Sequence, residues 1–486
     1  MVYLPTNPWM KKLQEKLAEE GILSDAEKAR AVPAQYYAKS MSELMGQLKS
    51  FVKSGHREDK HLTVFVDGVQ KQCSEQKGSD INKVFREALH EAGFSVDWVV
   101  LPDLLGISPA DFHASHHLLE KTREAVRASK IQFCVVLGSG SITDMIKHAL
   151  FLEGIRSPFL SVPTALTVTA FTSSLSVIDW HGAKRANVSR EVSATFWLKS
   201  VLECAPHRMS RAGYGDIISR FLAYGDWYLG KRLGVIDSYN EGIYRLMEPF
   251  ASGIKENADG FSQYPLPEET IQCIAASLAM AGIALSVSGE AAPLSGFEHV
   301  ISHALDFLHL VSGRDLAFHG EQVALGCLTS VQAIDWLIDQ EEISPDGWLK
   351  DPVSEGIAIL NSLIDKAPLP PLGKKIERSR QEFIKEYEKK SLRWKGDLGA
   401  GKKDRFIKDW PEIRKYLAGI TLRTTEMEQL IRRAGLPRSF METVPPTSEH
   451  EYRWAVQFSP FIRSRMSISD LILWMGEDAT RFIYRA

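Results

Sequence analysis

The spacing of apolar positions changes character twice along the chain. Residues 1–60 are polar and keep a helical period, with Pro33 dividing two amphipathic pieces, so they predict an N-terminal helical extension. From residue 61 the pattern turns to short apolar runs separated by helical stretches. Leu62–Asp67, Ser95–Leu101 and Ile131–Leu137 read as strands, while Lys83–Ala92, ended by Gly93, and Ser115–Ser129 read as helices. Strands alternating with helices predict parallel β-α units in a doubly wound sheet. Near Val201 the strands stop, and long amphipathic segments follow at 220–229, 269–286 and 320–339. Pro368 to Pro371 breaks that pattern and opens an insertion over about 366–411. Its charge run around Lys374, Lys375, Lys402 and Lys403 predicts a solvated helical face. The expected organisation is therefore an extension over 1–60, an α/β domain over 61–200 and a helical domain over 201–486.

Composition narrows the class without naming a chemistry. A chain of 486 residues with 44% hydrophobic and 24% charged residues can bury a large core in two or more domains. The formal charge of −3 gives no electrostatic reason to bind nucleic acid or an anionic membrane. Cys73, Cys134, Cys204, Cys273 and Cys327 are odd in number and lack short paired spacings, which argues against a disulfide framework and a thiolate zinc site. Residues 1–20 lack the apolar core of a signal peptide, and no stretch reads as a membrane span, the nearest being 271–287. A reduced, cytoplasmic setting is the expectation.

Three stretches carry candidate chemistry. The third strand runs into Gly138-Ser139-Gly140-Ser141, where small residues and a helix start could cradle a pyrophosphate, although a plain tight turn fits as well. Asp67, at the end of the first strand, could accept hydrogen bonds from an adenosine ribose and would repel a 2′-phosphate; its other reading is a turn residue. The loop from Pro163 through Thr164, Thr167, Thr169 and Ser173 to Leu175 offers uncharged donors and acceptors suited to a nicotinamide riboside, or is a hydroxyl-rich hairpin.

The third stretch is Ser295 to His303 followed by Leu316 to Val323. His299 and His319 lie on successive predicted helices and could share one ion, with Asp216 of the Gly-Tyr-Gly-Asp segment as third ligand. A lone helical histidine is more often a hydrogen-bonded core residue.

Taken in order, Gly138-Ser-Gly-Ser with Asp144 and Lys147, Val162-Pro-Thr164, Gly213-Tyr-Gly-Asp216, Glu298-His299 with His303, and Phe318-His319-Gly-Glu321 resemble the superfamily of metal-dependent alcohol dehydrogenases, glycerol dehydrogenases and dehydroquinate synthases. Within it the chain is most similar to the sn-glycerol-1-phosphate dehydrogenase branch, over about residues 60–365 and again at 426–437 and 462–471. The resemblance implies a Rossmann-like dinucleotide-binding α/β domain followed by an all-α domain. It implies one divalent ion, zinc before iron or nickel, on Asp216, His299 and His319. NAD or NADP would be held by Asp67, Gly138, Ser139, Gly140, Ser141, Asp144, Thr164, Thr167, Ser173 and Leu175. Thr169, Lys147 and His303 would face the substrate, and His303, one helical turn from His299, would also serve as a catalytic or proton-relay group.

The implied reaction is interconversion of a polyol phosphate with its ketone, glycerol 1-phosphate and dihydroxyacetone phosphate, by a protein able to form homo-oligomers. The chain departs from the family pattern at Thr169, where polyol dehydrogenases carry an aspartate. The alternatives are a sugar-phosphate cyclase that uses NAD transiently and a non-catalytic relative.

Overall fold

Six short strands lie side by side, all parallel, in the order β1-β8-β5-β4-β2-β3, and two more, β6 and β7, form a separate ribbon. They are Ala34–Ala38 (β1), His61–Val66 (β2), Ser95–Val100 (β3), Phe133–Gly138 (β4), Phe159–Pro163 (β5), Leu175–Trp180 (β6), Ala183–Val188 (β7) and Ala194–Leu198 (β8). These come from a computed structural model that describes residues 8–19, 32–54, 61–76, 78–180, 183–368, 374–395 and 399–485, the side chains of 374–378 and 399–400 excepted.

The central strands read as unbroken apolar runs because both of their faces are covered. Along β4, Val135 and Leu137 join one hydrophobic core with Leu62, Val64 and Val66, while Cys134 and Val136 join the opposite core with Phe65, Ile142 and Met145. The helix Ile81–Glu91 starts on Asp80, which accepts from Asn82 N at 3.2 Å. It ends at Gly93, as the sequence predicts.

The chain divides into two compact units. One comprises Met1–Trp180, Lys184–Tyr214 and Gly242–Ala291; the other comprises His181–Ala183, Gly215–Glu241 and Ala292–Ala486. The first holds the sheet; the second is helical. This division runs through the helix His207–Ile217 rather than near residue 200, and it returns 242–291 to the sheet-bearing unit.

Residues 1–60 are not helical throughout. The helices Pro8–Ala18 and Met41–Ser54 form, but β1 lies between them and pairs with β8 from Ala34↔Ala194 to Ala38↔Leu198. Its residues Gln35 to Ala38 are all buried, so the strand has no polar-apolar alternation to distinguish it from a helical segment. Residues 1–7, 20–31 and 55–60 lie outside the described residues.

The expectation that no stretch has the make-up of a membrane span is also corrected. The helix Glu268–Ser288 is long and apolar enough to cross a bilayer by length and composition. Its apolar side chains are instead buried within the first unit, which is why it carries no polar face.

The insertion forms two helices, Lys374–Lys395 and Gly399–Ile420. Beneath its charges runs an apolar stripe: Phe383, Tyr387 and Trp394 on the first helix and Phe406, Trp410, Ile413 and Leu417 on the second are all buried. Spacings of three, four and seven place each set on one helical face, and burying each large side chain contributes about 2–3 kcal/mol. Lys402 and Lys403 lie on the exposed side and reach backbone carbonyls, Lys402 that of Gly234 at 3.1 Å and Lys403 that of Pro345 at 2.5 Å. The side chains of Lys374 and Lys375 lie outside the described residues.

Candidate functional site

In the first unit the order of strands reverses between β2 and β4. The chain goes from β2 outward to β3, then crosses back to place β4 on the other side of β2. In open parallel sheets such a reversal leaves a crevice at the carboxyl ends of the two strands, and ligands bind there. Val66 stands opposite Leu137, so Asp67 and Gly138, one residue further on, sit side by side at that crevice.

Gly138 is there because nothing larger fits. A Cβ on it would stand 2.6 Å from Ile142 Cγ2 and 3.2 Å from Asp67 Oδ2. The helix Gly140–Leu152 begins on Ser139 with no side-chain cap, which leaves its first amide hydrogens directed to the crevice mouth, and Ser139 and Ser141 are half-buried there. Gly140 has a different reason. A Cβ on it would stand 2.4 Å from Val168 Cγ2, so this glycine lets the helix start pack against the hydroxyl-rich loop.

That loop is pinned from beneath. Lys147 is wholly buried and its ammonium donates to Ala170 O at 2.8 Å and Ser173 O at 2.9 Å, with Asp144 Oδ1 at 3.0 Å. Burial pushes the Lys147 pKa down and that of Asp144 up, and their mutual attraction opposes both shifts. All three ammonium hydrogens are thereby directed at protein acceptors, so Lys147 has none for a substrate. Asp144 Oδ2 accepts from Val177 N at 3.1 Å, so this carboxylate holds β6 instead of a nucleotide. Both residues leave the set of expected contacts and become supports of the loop.

The rest of the loop is placed more nearly as expected. Thr164 N donates to Gly138 O at 3.1 Å, which ties the loop start to the glycine turn. Thr167 and Thr169 are half-buried, and Thr169 opens a short turn whose carbonyl accepts from Thr172 N and Ser173 N. Ser173 and Leu175 are buried, with Ser173 Oγ accepting from Leu175 N at 3.0 Å.

In the second unit three side chains distant in sequence converge. Nε2 of His299 lies 3.1 Å from Asp216 Oδ1, and Nε2 of His319 lies 3.8 Å from the same oxygen. Ligand atoms of all three fall within 4.8 Å of one another, the one such group among the described residues that could hold a metal ion. Gly215 explains part of the convergence, since a Cβ there would stand 2.1 Å from Gly320 O. Its absence lets the end of the helix His207–Ile217, which bears Asp216, meet the start of the helix His319–Asp339.

Partners on the far side of each imidazole fix its orientation. Nδ1 of His299 is 2.9 Å from Glu298 Oε1, which also accepts from Gly296 N at 2.6 Å. Ser302 donates its one hydrogen to Gln322 Oε1 at 2.7 Å, so toward His319 Nδ1, at 3.0 Å, it acts as acceptor. Both rings thus donate through Nδ1 to a partner behind them and aim Nε2 at Asp216, the arrangement of imidazoles that ligate a metal. Burial alone depresses the His299 pKa, but its hydrogen bonds to Asp216 and Glu298 outweigh burial and hold it above the usual imidazole value. The surroundings of this ring favour a cation.

His303 is buried one turn along the same helix, Phe297–Ser312, its ring centre 6.4 Å from that of His299 and 5.6 Å from that of His319. The N-terminus of that helix is anchored by Asp226, which accepts from Phe297 N at 2.5 Å through Oδ2 and from Ile468 N at 2.7 Å through Oδ1. Sequence reasoning overlooked Glu298, Ser302, Gln322 and Asp226. Only Glu298, adjacent to His299, and Ser302, one turn on, were visible from spacing.

The sheet-bearing unit thus has a crevice at its reversal point, and the helical unit has an aspartate and two oriented imidazoles. The sequence profile of the family described as iron-containing alcohol dehydrogenase matches residues 42–196. A glycerol-1-phosphate dehydrogenase [NAD(P)+] of Thermococcus sibiricus is 30% identical over 257 residues, 53% of this chain and 67% of that one. Its namesake in Pyrococcus furiosus is 28% identical over 278 residues, 57% of this chain and 73% of that one. The fold is also that of an archaeal halo-thermophilic alcohol dehydrogenase from a Red Sea brine pool, with a TM-score of 0.53 at 12% identity over 93% of this chain and 96% of that one. The chain belongs to the iron-containing alcohol dehydrogenase family and is an oxidoreductase.

Proposed function

We propose that this protein is a metal-dependent, NAD(P)-linked dehydrogenase that interconverts a polyol phosphate and its ketone. The names of the relatives support glycerol 1-phosphate and dihydroxyacetone phosphate as the pair. The observation that carries the reading is the convergence of Asp216, His299 and His319, with both imidazoles oriented from behind.

Two nitrogens and one carboxylate oxygen suit zinc, iron or nickel, zinc first, and leave a coordination position for substrate. A bound ion would polarise the substrate oxygen, and a nicotinamide would exchange hydride with the carbinol carbon. Asp216, His299 and His319 hold the ion; Glu298 and Ser302 hold the two rings. His303, on the same helix face, orients the substrate or relays its hydroxyl proton. In the first unit, Asp67 meets the adenosine ribose, Gly138 to Ser141 meet the pyrophosphate, and Thr164, Thr167, Ser173 and Leu175 shape the nicotinamide side, with Thr169 toward the substrate.

The test is absorbance of reduced nicotinamide during incubation with dihydroxyacetone phosphate and related ketones, with zinc, iron, nickel or no metal, joined to elemental analysis of four variants. Asp216→Ala, His299→Ala and His319→Ala each lose bound metal and turnover, whereas His303→Ala keeps its metal and loses only part of its turnover. Full metal and normal turnover in Asp216→Ala or His319→Ala would overturn the assignment.

A further inference from the structure

The crevice at the ends of β2 and β4 holds a charge pair, Asp67 with Lys71. Lys71, four residues on, folds back so that its ammonium donates to Asp67 Oδ1 and, at 3.1 Å, to Val69 O. Asp67 Oδ1 also accepts from Val69 N at 3.1 Å, while its Oδ2 faces the Gly138 turn. Both side chains are mostly buried, at 6% exposure for Asp67 and 16% for Lys71, so the pair is more than a passing surface contact. Two acceptors engage an ammonium that has three hydrogens, which leaves one for a ligand.

The backbone around the pair is held in place as well. Lys71 N donates to Asp80 Oδ1 at 3.1 Å, and Asn82 Nδ2 donates to Val69 O at 3.1 Å, so the turn is tied to the start of the helix Ile81–Glu91. The ammonium therefore occupies a defined position beside the carboxylate.

We infer that Lys71 is the residue that admits a 2′-phosphate, so that the pair Asp67 and Lys71 lets one crevice take both NAD and NADP. This rests on the dinucleotide reading given above. An unmodified ribose presents hydroxyl donors, and Asp67 Oδ2 accepts them. A 2′-phosphate presents only acceptors and negative charge; Lys71 gives it a charge-assisted hydrogen bond and cancels the repulsion of Asp67. The repulsion expected between Asp67 and a 2′-phosphate is thereby offset, because the charge of Asp67 does not stand alone.

Calorimetric titration with ADP and with 2′,5′-ADP tests this without recourse to turnover. The unaltered protein binds both, and Lys71→Ala lowers affinity for 2′,5′-ADP relative to ADP by about tenfold. Lys71→Arg keeps the charge and restores most of that ratio, while Asp67→Asn shifts it toward 2′,5′-ADP. Thermal melts of each variant confirm that the fold persists. An unchanged ratio in Lys71→Ala overturns the inference while leaving the dinucleotide reading in place. Failure of the unaltered protein to bind either nucleotide overturns both.

Discussion

The hydroxyl of Ser302 accepts from Nδ1 of His319 because its own hydrogen is spent on Gln322 Oε1. One serine therefore decides which nitrogen of a ring is free to ligate. Removing it leaves the imidazole without its orienting partner, and such changes typically cost ten- to a hundredfold in metal affinity. Ser302→Ala is expected to weaken metal binding by that factor while shifting the melting temperature little, as read by titration against a chelator of known strength.

A second outcome concerns the buried ammonium beneath the loop. Lys147→Met strips two carbonyls of their donor and leaves Asp144 as an unpaired buried carboxylate. Breaking a buried pair in this way costs about 3–5 kcal/mol. Urea denaturation should show a loss of that size; a change below 1 kcal/mol would mean that the pair behaves as an exposed one.

Gly140 and Val168 should act as a pair. Gly140→Ala places a methyl 2.4 Å from Val168 Cγ2, which requires the loop to move and costs about 1–3 kcal/mol. Val168→Ala opens the same space. The double variant is expected to recover part of the loss, and a double-mutant cycle on stability measures the coupling.

Part of this arrangement is legible in the sequence. Asp216, His299 and His319 stood out because ligand residue types lay in family order, and β2 and β4 appeared within two residues of their positions because buried strands read as apolar runs. Lys147 was misread because sequence shows a residue's chemistry but not which way it points: the same ammonium suits a substrate phosphate or two carbonyls of its own loop. β1 was missed because four consecutive buried residues, Gln35 to Ala38, carry no period, and Asp226 because its partners lie 71 and 242 residues away.

Asp226 also sets a pH dependence. Burial, with the nearby charge of Glu298 adding to it, raises its pKa to about 8 despite hydrogen bonds from Phe297 N and Ile468 N. Because the folded value exceeds that of an unfolded carboxylate, near 4, the folded protein keeps a proton that the unfolded chain has released. This group's contribution is complete below about pH 4, declines as pH rises, and is gone above about pH 8. Its slope is at most about 1.4 kcal/mol per pH unit. Asp226→Asn should lower stability overall yet flatten its fall between pH 5 and 8, as followed by melting temperature.

The insertion helix Lys374–Lys395 places Lys390, almost wholly buried, 2.7 Å from Asp470 Oδ1. Asp470 Oδ2 in turn accepts from Ser467 N at 2.8 Å, at the start of the helix whose Ile468 amide is bound by Asp226. The segment that lengthens this protein is thus not an ornament that could be trimmed to make a shorter enzyme. Excising it would strand a carboxylate in the interior and bare the apolar side chains that the stripe covers, Phe307, Phe458 and Trp474 among them. Anyone shortening the chain for crystallisation or expression would have to replace Asp470 and the exposed apolar positions together.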